Sequence, residues 1–170
     1  MQNIYDEMVD AGLVDELVNT SEYFPNLQEI ENMVKPQQDS GGSLIIFDDT
    51  MVNISAEFEQ LFCNVGHHFN TSIIFITQNL FYKNTPFRTM SLNTHYFVIM
   101  KNERDKQQIS ILAKQVSPYN SAYIVQAYKA ATSKPYDYLI LDFTPDTPPI
   151  VRVRSKIFAK QFPTSVYIEL

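Results

Sequence analysis

The most informative stretch of this chain is Leu44-Ile45-Ile46-Phe47-Asp48-Asp49. Four apolar residues in a row predict a strand that is buried on both faces, as in the interior of a parallel sheet. Two carboxylates follow at the C-terminal end of that strand, which is the edge where open α/β sheets bind their ligands. The stretch therefore predicts an α/β fold with a polar site where this strand ends.

Helices and strands alternate along the rest of the chain. Apolar residues at helical spacing predict helices over residues 4–18, 26–34, 54–66, 105–115 and 121–131. Asp105 is a suitable cap for the fourth of these. Apolar runs predict further strands over residues 72–77, 95–100, 136–143 and 150–158. This order predicts an α/β fold with a mainly parallel sheet flanked by helices and an antiparallel β-hairpin at the C-terminus. Alternation of apolar and basic residues predicts that the last strand lies at a sheet edge with one wet face.

Composition limits the class of protein. Of the 170 residues, 45% are hydrophobic, which is enough for a globular domain with a core of ordinary size. The formal charge of −6 disfavours a broad nucleic-acid-coating surface, although a few loops can still contact DNA. Cys63 is the only cysteine, which excludes an internal disulfide and fits an intracellular compartment. No apolar run approaches the roughly 20 residues that span a bilayer, so no membrane partner is expected.

Three successive predicted strands end in polar residues. Asp48-Asp49 follow the first, Thr77-Gln78-Asn79 the second, and Lys101-Asn102 the third. In a parallel sheet these three ends lie side by side on one edge. An apolar strand that ends in two carboxylates is also typical of the Walker B strand of P-loop NTPases. There Asp48 would hold Mg²⁺ through water, and Asp49 would orient or deprotonate the attacking water.

Other interpretations of these residues stay open at this point. Asp48 and Asp49 can cap the next helix or face water, and Gln78 and Asn102 can each close the turn after a strand. Asn79 is expected to be a turn residue. His67-His68 raise the alternative of a metal-dependent hydrolase built with the two carboxylates. Adjacent side chains on a helix point about 100° apart, however, which disfavours a shared ion.

The motifs, taken in order, resemble the downstream half of a known family. Those that carry the resemblance are Asp48-Asp49, Gly66-His67-His68, residues 76–81, Arg88, residues 91–96, residues 101–105, residues 135–142 and residues 152–154. In this order they look like the FtsK/HerA-type genome-packaging ATPases of large DNA viruses and Maverick/Polinton transposons. The resemblance covers roughly residues 40–158.

The resemblance implies a P-loop ATPase of the additional-strand class, acting in a ring that threads double-stranded DNA into a capsid. It implies that Asp49 is catalytic, that Gln78 senses the γ-phosphate, and that Asp48 binds Mg²⁺ through water. It also implies an arginine that acts across the subunit interface, with Arg88 and Arg104 as candidates. Asn102 is expected beside the nucleotide. The implied compartment is the host cytoplasm or nucleus.

The sequence departs from the family at the phosphate loop, because G-x-x-x-x-G-K-[ST] does not occur in it. The family places this loop upstream, on a central strand. We therefore expect residues 1–42 to be a helical connection before the Walker B strand, and residues 43–170 to be the C-terminal part of an ATPase domain whose sheet is incomplete at the N-terminus.

A site of this kind would bind ATP and Mg²⁺ only when completed. A partner or a self-associated copy would supply the missing strand and loop, and the chain alone is expected to be inactive. The alternative is a non-catalytic interaction or structural module derived from such an ATPase.

Overall fold

The computed structural model describes residues 2–18, 25–37, 39, 41–48, 56–81, 85–104, 106–161 and 163–169. Asp49 and Asp105 lie outside these residues, and the side chains of His67 and His68 are likewise not described. The predictions that rest on these four side chains therefore stay predictions. The chain forms two compact units, Met1–Met90 and Ser91–Leu170.

The first unit is a β–α–β unit with helices on one face. Its elements in chain order are α1 (Gln2–Asp10), α2 (Leu27–Val34), a short 3₁₀ helix (Lys35–Gln37), β1 (Ser43–Asp48), α3 (Ala56–His68) and β2 (Thr71–Ile76). Helix α4 (Thr85–Leu92) follows and leads into the second unit. Strands β1 and β2 are parallel, with Ser43 opposite Thr71 and Asp48 opposite Ile76. The parallel pairing predicted from the two apolar runs is confirmed.

The core of the first unit lies on one face of the β1–β2 sheet. Phe47 of β1 contacts Phe58 of α3 edge to face at 4.7 Å between ring centroids, and Phe58 contacts Phe75 of β2 at 5.7 Å. The opposite face consists of aliphatic side chains that are 46–57% exposed: Leu44, Ile46, Ile74 and Ile76. The prediction that this sheet is buried on both faces is therefore wrong for the part of the chain that the structure describes.

Two local features determine where α2 begins and where α1 ends. Asn26 caps α2 in a capping box, in which its side chain accepts from the Glu29 N–H and the Glu29 carboxylate accepts from the Asn26 N–H. Helix α1 ends at Asp10 rather than near residue 18, because Gly12 adopts a φ of +66° and the Leu13 N–H bonds the Met8 carbonyl. This is a Schellman ending, so the predicted helix over 4–18 is too long.

The second unit consists of an antiparallel sheet and two helices, the second of which packs on the sheet while the first packs on that second helix. It contains β3 (Tyr96–Met100), α5 (Gln107–Val116), α6 (Ser121–Ala131), β4 (Tyr138–Asp142), a 3₁₀ turn (Pro149–Val151), β5 (Val153–Ser155), a second 3₁₀ turn (Ala159–Gln161) and β6 (Ser165–Val166). The strand order is β3-β4-β5-β6, with every pairing antiparallel. All five residues of β4 are buried, as are the inward residues of the helices: Ile109, Leu112, Ala113, Ile124, Ala127 and Ala131.

This sheet corrects two predictions and confirms one. A mainly parallel sheet is wrong, since β3 pairs with β4 in an antiparallel sheet separate from that of β1 and β2. The last predicted strand, over residues 150–158, is shortened to β5 and is not an edge, because β6 pairs with β5, and Val153 and Ser155 of β5 are buried. The C-terminal hairpin is confirmed by the β4–β5 pairing. The fold class is α/β, with one parallel and one antiparallel sheet.

Candidate functional site

The parallel register brings two of the predicted polar clusters to one sheet edge. Asp48 is the last residue of β1 and lies opposite Ile76, the last residue of β2. Thr77, Gln78 and Asn79 follow directly after Ile76. The carboxyl ends of adjacent parallel strands are where α/β proteins bind ligands. The expected meeting of these first two strand ends is therefore confirmed for Asp48 and the turn after β2, while Asp49 lies outside the described residues.

Asp48 is half-buried and has a hydrogen-bond partner from a distant part of the sequence. The hydroxyl of Tyr5, on α1, donates to its Oδ2 atom. This contact anchors the N-terminal helix over the end of β1 and fixes the orientation of the carboxylate. No sequence motif marks Tyr5, and it was missing from the predicted site because the two residues are 43 positions apart.

The donor set at this edge fits a nucleotide-bound Mg²⁺. Magnesium in nucleotide sites is held by one or two carboxylates, with water and substrate phosphates as the remaining ligands. Asp48 supplies one such carboxylate. Within the described ranges, no three His, Cys, Asp or Glu side chains cluster as a metal-binding group. The role of Asp48 in holding Mg²⁺ stays a prediction.

The turn after β2 holds Gln78 at the same edge. The Thr77 hydroxyl accepts from the Asn79 N–H at 3.1 Å, and the Asn79 side-chain oxygen accepts from the Phe81 N–H at 2.9 Å. These bonds confirm the prediction that Asn79 is a turn residue. Gln78 lies between Thr77 and Asn79, and its side chain is exposed. Its role as a γ-phosphate sensor stays a prediction.

The third polar cluster belongs to the other sheet. Lys101 and Asn102 follow β3, whose pairing with β4 is antiparallel. The prediction that all three strand ends share one parallel edge is therefore wrong. The Asn102 side-chain oxygen accepts from the Arg104 N–H at 2.9 Å, and the Asn102 N–H donates to the Tyr128 hydroxyl at 2.9 Å. Asn102 thus stabilises the turn after β3, and its expected position beside a nucleotide stays a prediction.

Charges around this turn are paired at the surface. Lys101 lies 2.7 Å from Glu103, and Lys106 lies 3.3 Å from the other oxygen of the same carboxylate. The hydrogen bond to Glu103 raises the pKa of Lys101, and the same bond, together with Lys106, lowers the pKa of Glu103. Exposed pairs of this kind contribute little to stability.

The two candidate arginines occupy different elements. Arg88 lies on α4 and Arg104 in the turn after β3, and both are exposed. A residue that acts on a neighbouring subunit must be exposed, and both arginines are. The structure therefore does not choose between them.

Asp48 and the polar turn after β2 lie at the edge of a parallel β–α–β unit where α/β proteins commonly bind ligands. Comparison with known families gives one match: a family described as Poxvirus A32 protein matches residues 6–143. The chain belongs to this family, and its resemblance to genome-packaging ATPases is thereby confirmed. No curated protein and no solved structure matches the chain. None of the helices in the described ranges has the length and apolar character needed to cross a membrane.

Proposed function

We propose that the chain carries the Walker B and sensor side of the nucleotide site of a DNA-packaging ATPase. One observation carries the proposal: the β1–β2 register sets the Asp48 carboxylate beside the strand end from which Gln78 projects. Membership of the poxvirus A32 family supports it, since a packaging ATPase implies use of ATP and Mg²⁺. Residues 43–170 would then be the C-terminal part of an ATPase domain, and residues 1–42 the connection that precedes it.

The proposed roles follow from the chemistry of phosphoryl transfer, which depends on positioning and charge stabilisation. Bound Mg²⁺ would neutralise charge on the phosphate oxygens. Asp48 would hold a water of that ion, while the Tyr5 hydroxyl donates to its Oδ2 atom. Asp49 orients the attacking water, and Gln78 reports whether the γ-phosphate is present. The arginine acting in trans is Arg88 or Arg104.

A second polypeptide segment would complete the site. The sequence contains no G-x-x-x-x-G-K-[ST], so the backbone N–H groups and the lysine that hold β- and γ-phosphates come from elsewhere. The two-stranded β1–β2 sheet supports this, because its outer face exposes four aliphatic side chains and two strands alone make a marginal sheet. A strand and loop from a partner polypeptide would extend the sheet and bring the phosphates to Asp48.

We propose that the complete motor acts on double-stranded DNA, and that it does so in the host cytoplasm or nucleus. Both proposals rest on the resemblance to packaging ATPases, which membership of the poxvirus A32 family supports. In a packaging motor, hydrolysis would change the contacts between subunits and move a DNA-gripping loop.

The test is ATP turnover by the full chain, alone and mixed with a polypeptide that carries a strand and phosphate loop. We expect turnover only in the mixture. Asp49→Asn and Gln78→Ala should abolish it, whereas Asp146→Asn, an exposed carboxylate in the second unit, should not. Equal turnover by Asp49→Asn and the unsubstituted chain would refute the assigned roles.

A non-catalytic interaction module is the second candidate. The observation that favours it is the contact between Tyr5 and Asp48, which places a helix over the carboxylate that the ATPase needs. A folded chain that never hydrolyses ATP in any mixture, and that forms stable complexes through the exposed face of β1 and β2, would establish this function instead.

A further inference from the structure

The second unit contains a pocket of about 290 Å³ that the nucleotide site does not use. It is formed by the end of α6, the loop before β4, and the segment after β5. Its polar lining consists of Ser133, Lys134, Asp137, Lys156, Gln161 and Tyr167. At about 30 Å³ per water, the volume equals roughly ten waters, which suits a phosphate group with an attached sugar.

Hydrogen bonds hold the walls of this pocket in place. The Tyr138 hydroxyl donates to the Gln161 side chain at 2.6 Å, and the Tyr167 hydroxyl lies 3.2 Å from that of Ser155. The Tyr167 carbonyl accepts from the Tyr123 hydroxyl at 3.1 Å. Because these contacts join α6, β4, β5 and the C-terminal strand segment, the pocket is formed before any ligand arrives.

The backbone at Lys156 has a left-handed conformation. Its φ is +59°, which is uncommon for a residue with a side chain, and its carbonyl accepts from the Thr164 hydroxyl at 3.2 Å. Tyr136, in the loop that contributes Lys134, has a φ of +65°. Such conformations persist where the surrounding structure determines them, and they concentrate at ligand sites. Here the two left-handed residues determine the backbone path of the segments that contain Lys134 and Lys156.

The charges in the pocket favour an anion. Lys134 and Lys156 are exposed, and among the described residues neither forms an ion pair with a carboxylate. By contrast, Lys101 and Lys106 share Glu103. One carboxylate, the half-buried Asp137, also lines the pocket. It can accept a hydrogen bond from a hydroxyl or amino group next to the anion.

We propose that this pocket binds a phosphate ester, with the phosphate between the ammonium groups of Lys134 and Lys156 and a hydroxyl or amino group at Asp137. The ligand is either a free nucleotide or one phosphodiester of a nucleic-acid backbone, since both present the same chemistry. The site goes beyond the proposed nucleotide site, because none of its lining residues is among those assigned to that site. Only the nucleic-acid alternative rests on the proposed function, which names DNA as a partner.

The first experiment is an amide NMR titration of the full chain with adenosine monophosphate and, separately, with a 20-base-pair duplex. We expect the signals of Ser133, Lys134 and Lys156 to shift with at least one probe. The double variant Lys134→Gln/Lys156→Asn should lose at least tenfold in affinity. Asparagine is chosen at position 156 because it tolerates the left-handed conformation. The control Lys35→Gln/Lys114→Gln changes the net charge equally at exposed sites and should bind as the unsubstituted chain does.

The two probes distinguish the sources of the ligand. Binding of the mononucleotide without competition by the duplex assigns the site to a small phosphate ester. Binding of the duplex assigns it to nucleic acid. In that case the slope of log K against log salt should fall by about 0.9 in the double variant, the value for one phosphate.

The proposal is overturned if neither probe shifts the pocket's amides, or if the pocket and control variants lose affinity equally. If circular dichroism shows that the double variant is unfolded, the single exposed change Lys134→Gln decides by the same criterion. None of these results depends on ATP hydrolysis, so they cannot be confused with a failure of the ATPase assignment.

Discussion

The replacement Asp142→Asn should strongly destabilise the second unit. Asp142 is the last residue of β4 and only 1% exposed. Its Oδ2 atom lies 2.5 Å from Arg154 on β5 and accepts from the Thr147 hydroxyl at 3.0 Å, while its Oδ1 accepts from the Thr144 N–H at 2.9 Å. The carboxylate thus ties the β4–β5 hairpin to the loop between the two strands.

The magnitude follows from these contacts. Breaking a buried ion pair by removing one partner costs about 3–5 kcal/mol, because the other charge is left uncompensated. The Arg154 side chain is 25% exposed and keeps part of its hydration, and asparagine keeps one oxygen for Thr144. We therefore expect Asp142→Asn to lower the free energy of unfolding by about 2–3 kcal/mol at pH 7. Asp146→Asn, an exposed change in the same loop, should cost less than about 0.5 kcal/mol.

The effect should depend on pH in one direction. Burial alone would raise the pKa of Asp142, but the hydrogen bonds from Thr144 and Thr147 and the charge of Arg154 outweigh it, so the pKa lies below its usual value. Stability from this group is therefore present above the unfolded-state pKa of about 3.9 and is lost as the pH falls through the lower folded-state pKa.

Urea unfolding followed by circular dichroism at pH 7 and in the acid range measures this effect. The difference between Asp142→Asn and the unsubstituted chain should shrink as the pH falls below about 4. A variant within about 0.5 kcal/mol of the unsubstituted chain at pH 7, or a difference that grows in acid, would show that the Asp142 carboxylate does not stabilise the second unit in this way.

Three further changes test the first unit. Asn26→Ala removes the capping box of α2 and should cost about 1 kcal/mol in urea unfolding, while Gln28→Ala on the exposed side should cost less. Gly42→Ala should reduce the yield of folded chain, because the φ there is +85° and a Cβ would lie 2.3 Å from the Asn70 carbonyl oxygen; an unchanged melting temperature would contradict this packing. Tyr5→Phe removes the hydrogen bond to Asp48 and should speed amide exchange in α1 about fivefold, equivalent to about 1 kcal/mol; unchanged exchange would show that the bond does not anchor the helix.

The parallel unit that forms the site could be predicted because the patterns that indicate its strands and helix lie within short segments of the sequence. The apolar runs of β1 and β2, separated by a helical segment, permit little besides a parallel crossover, and Asp48 and Gln78 then fall at the same edge. The early end of α1 was also predictable, since Gly12 is a typical helix terminator.

The second sheet was not predictable in the same way. A short apolar run such as Tyr96–Met100 fits a parallel or an antiparallel sheet equally, and periodicity does not choose its partner. Strand β6 (Ser165–Val166) pairs with β5 and so makes β5 an inner strand of the sheet. It has only two residues, which is too short to show the apolar/polar alternation that predicts a strand. The contact between Tyr5 and Asp48 joins distant parts of the chain through tertiary packing, which no spacing rule describes.

Calorimetric titration of Mg-ATP into the chain completed by a phosphate-loop polypeptide tests whether the end of β1 belongs to a nucleotide site. We expect binding that requires the added polypeptide and that weakens at least tenfold with Asp48→Asn, while Asp49→Asn still binds. Binding that is unaffected by Asp48→Asn would contradict the assignment of this strand end to the nucleotide site.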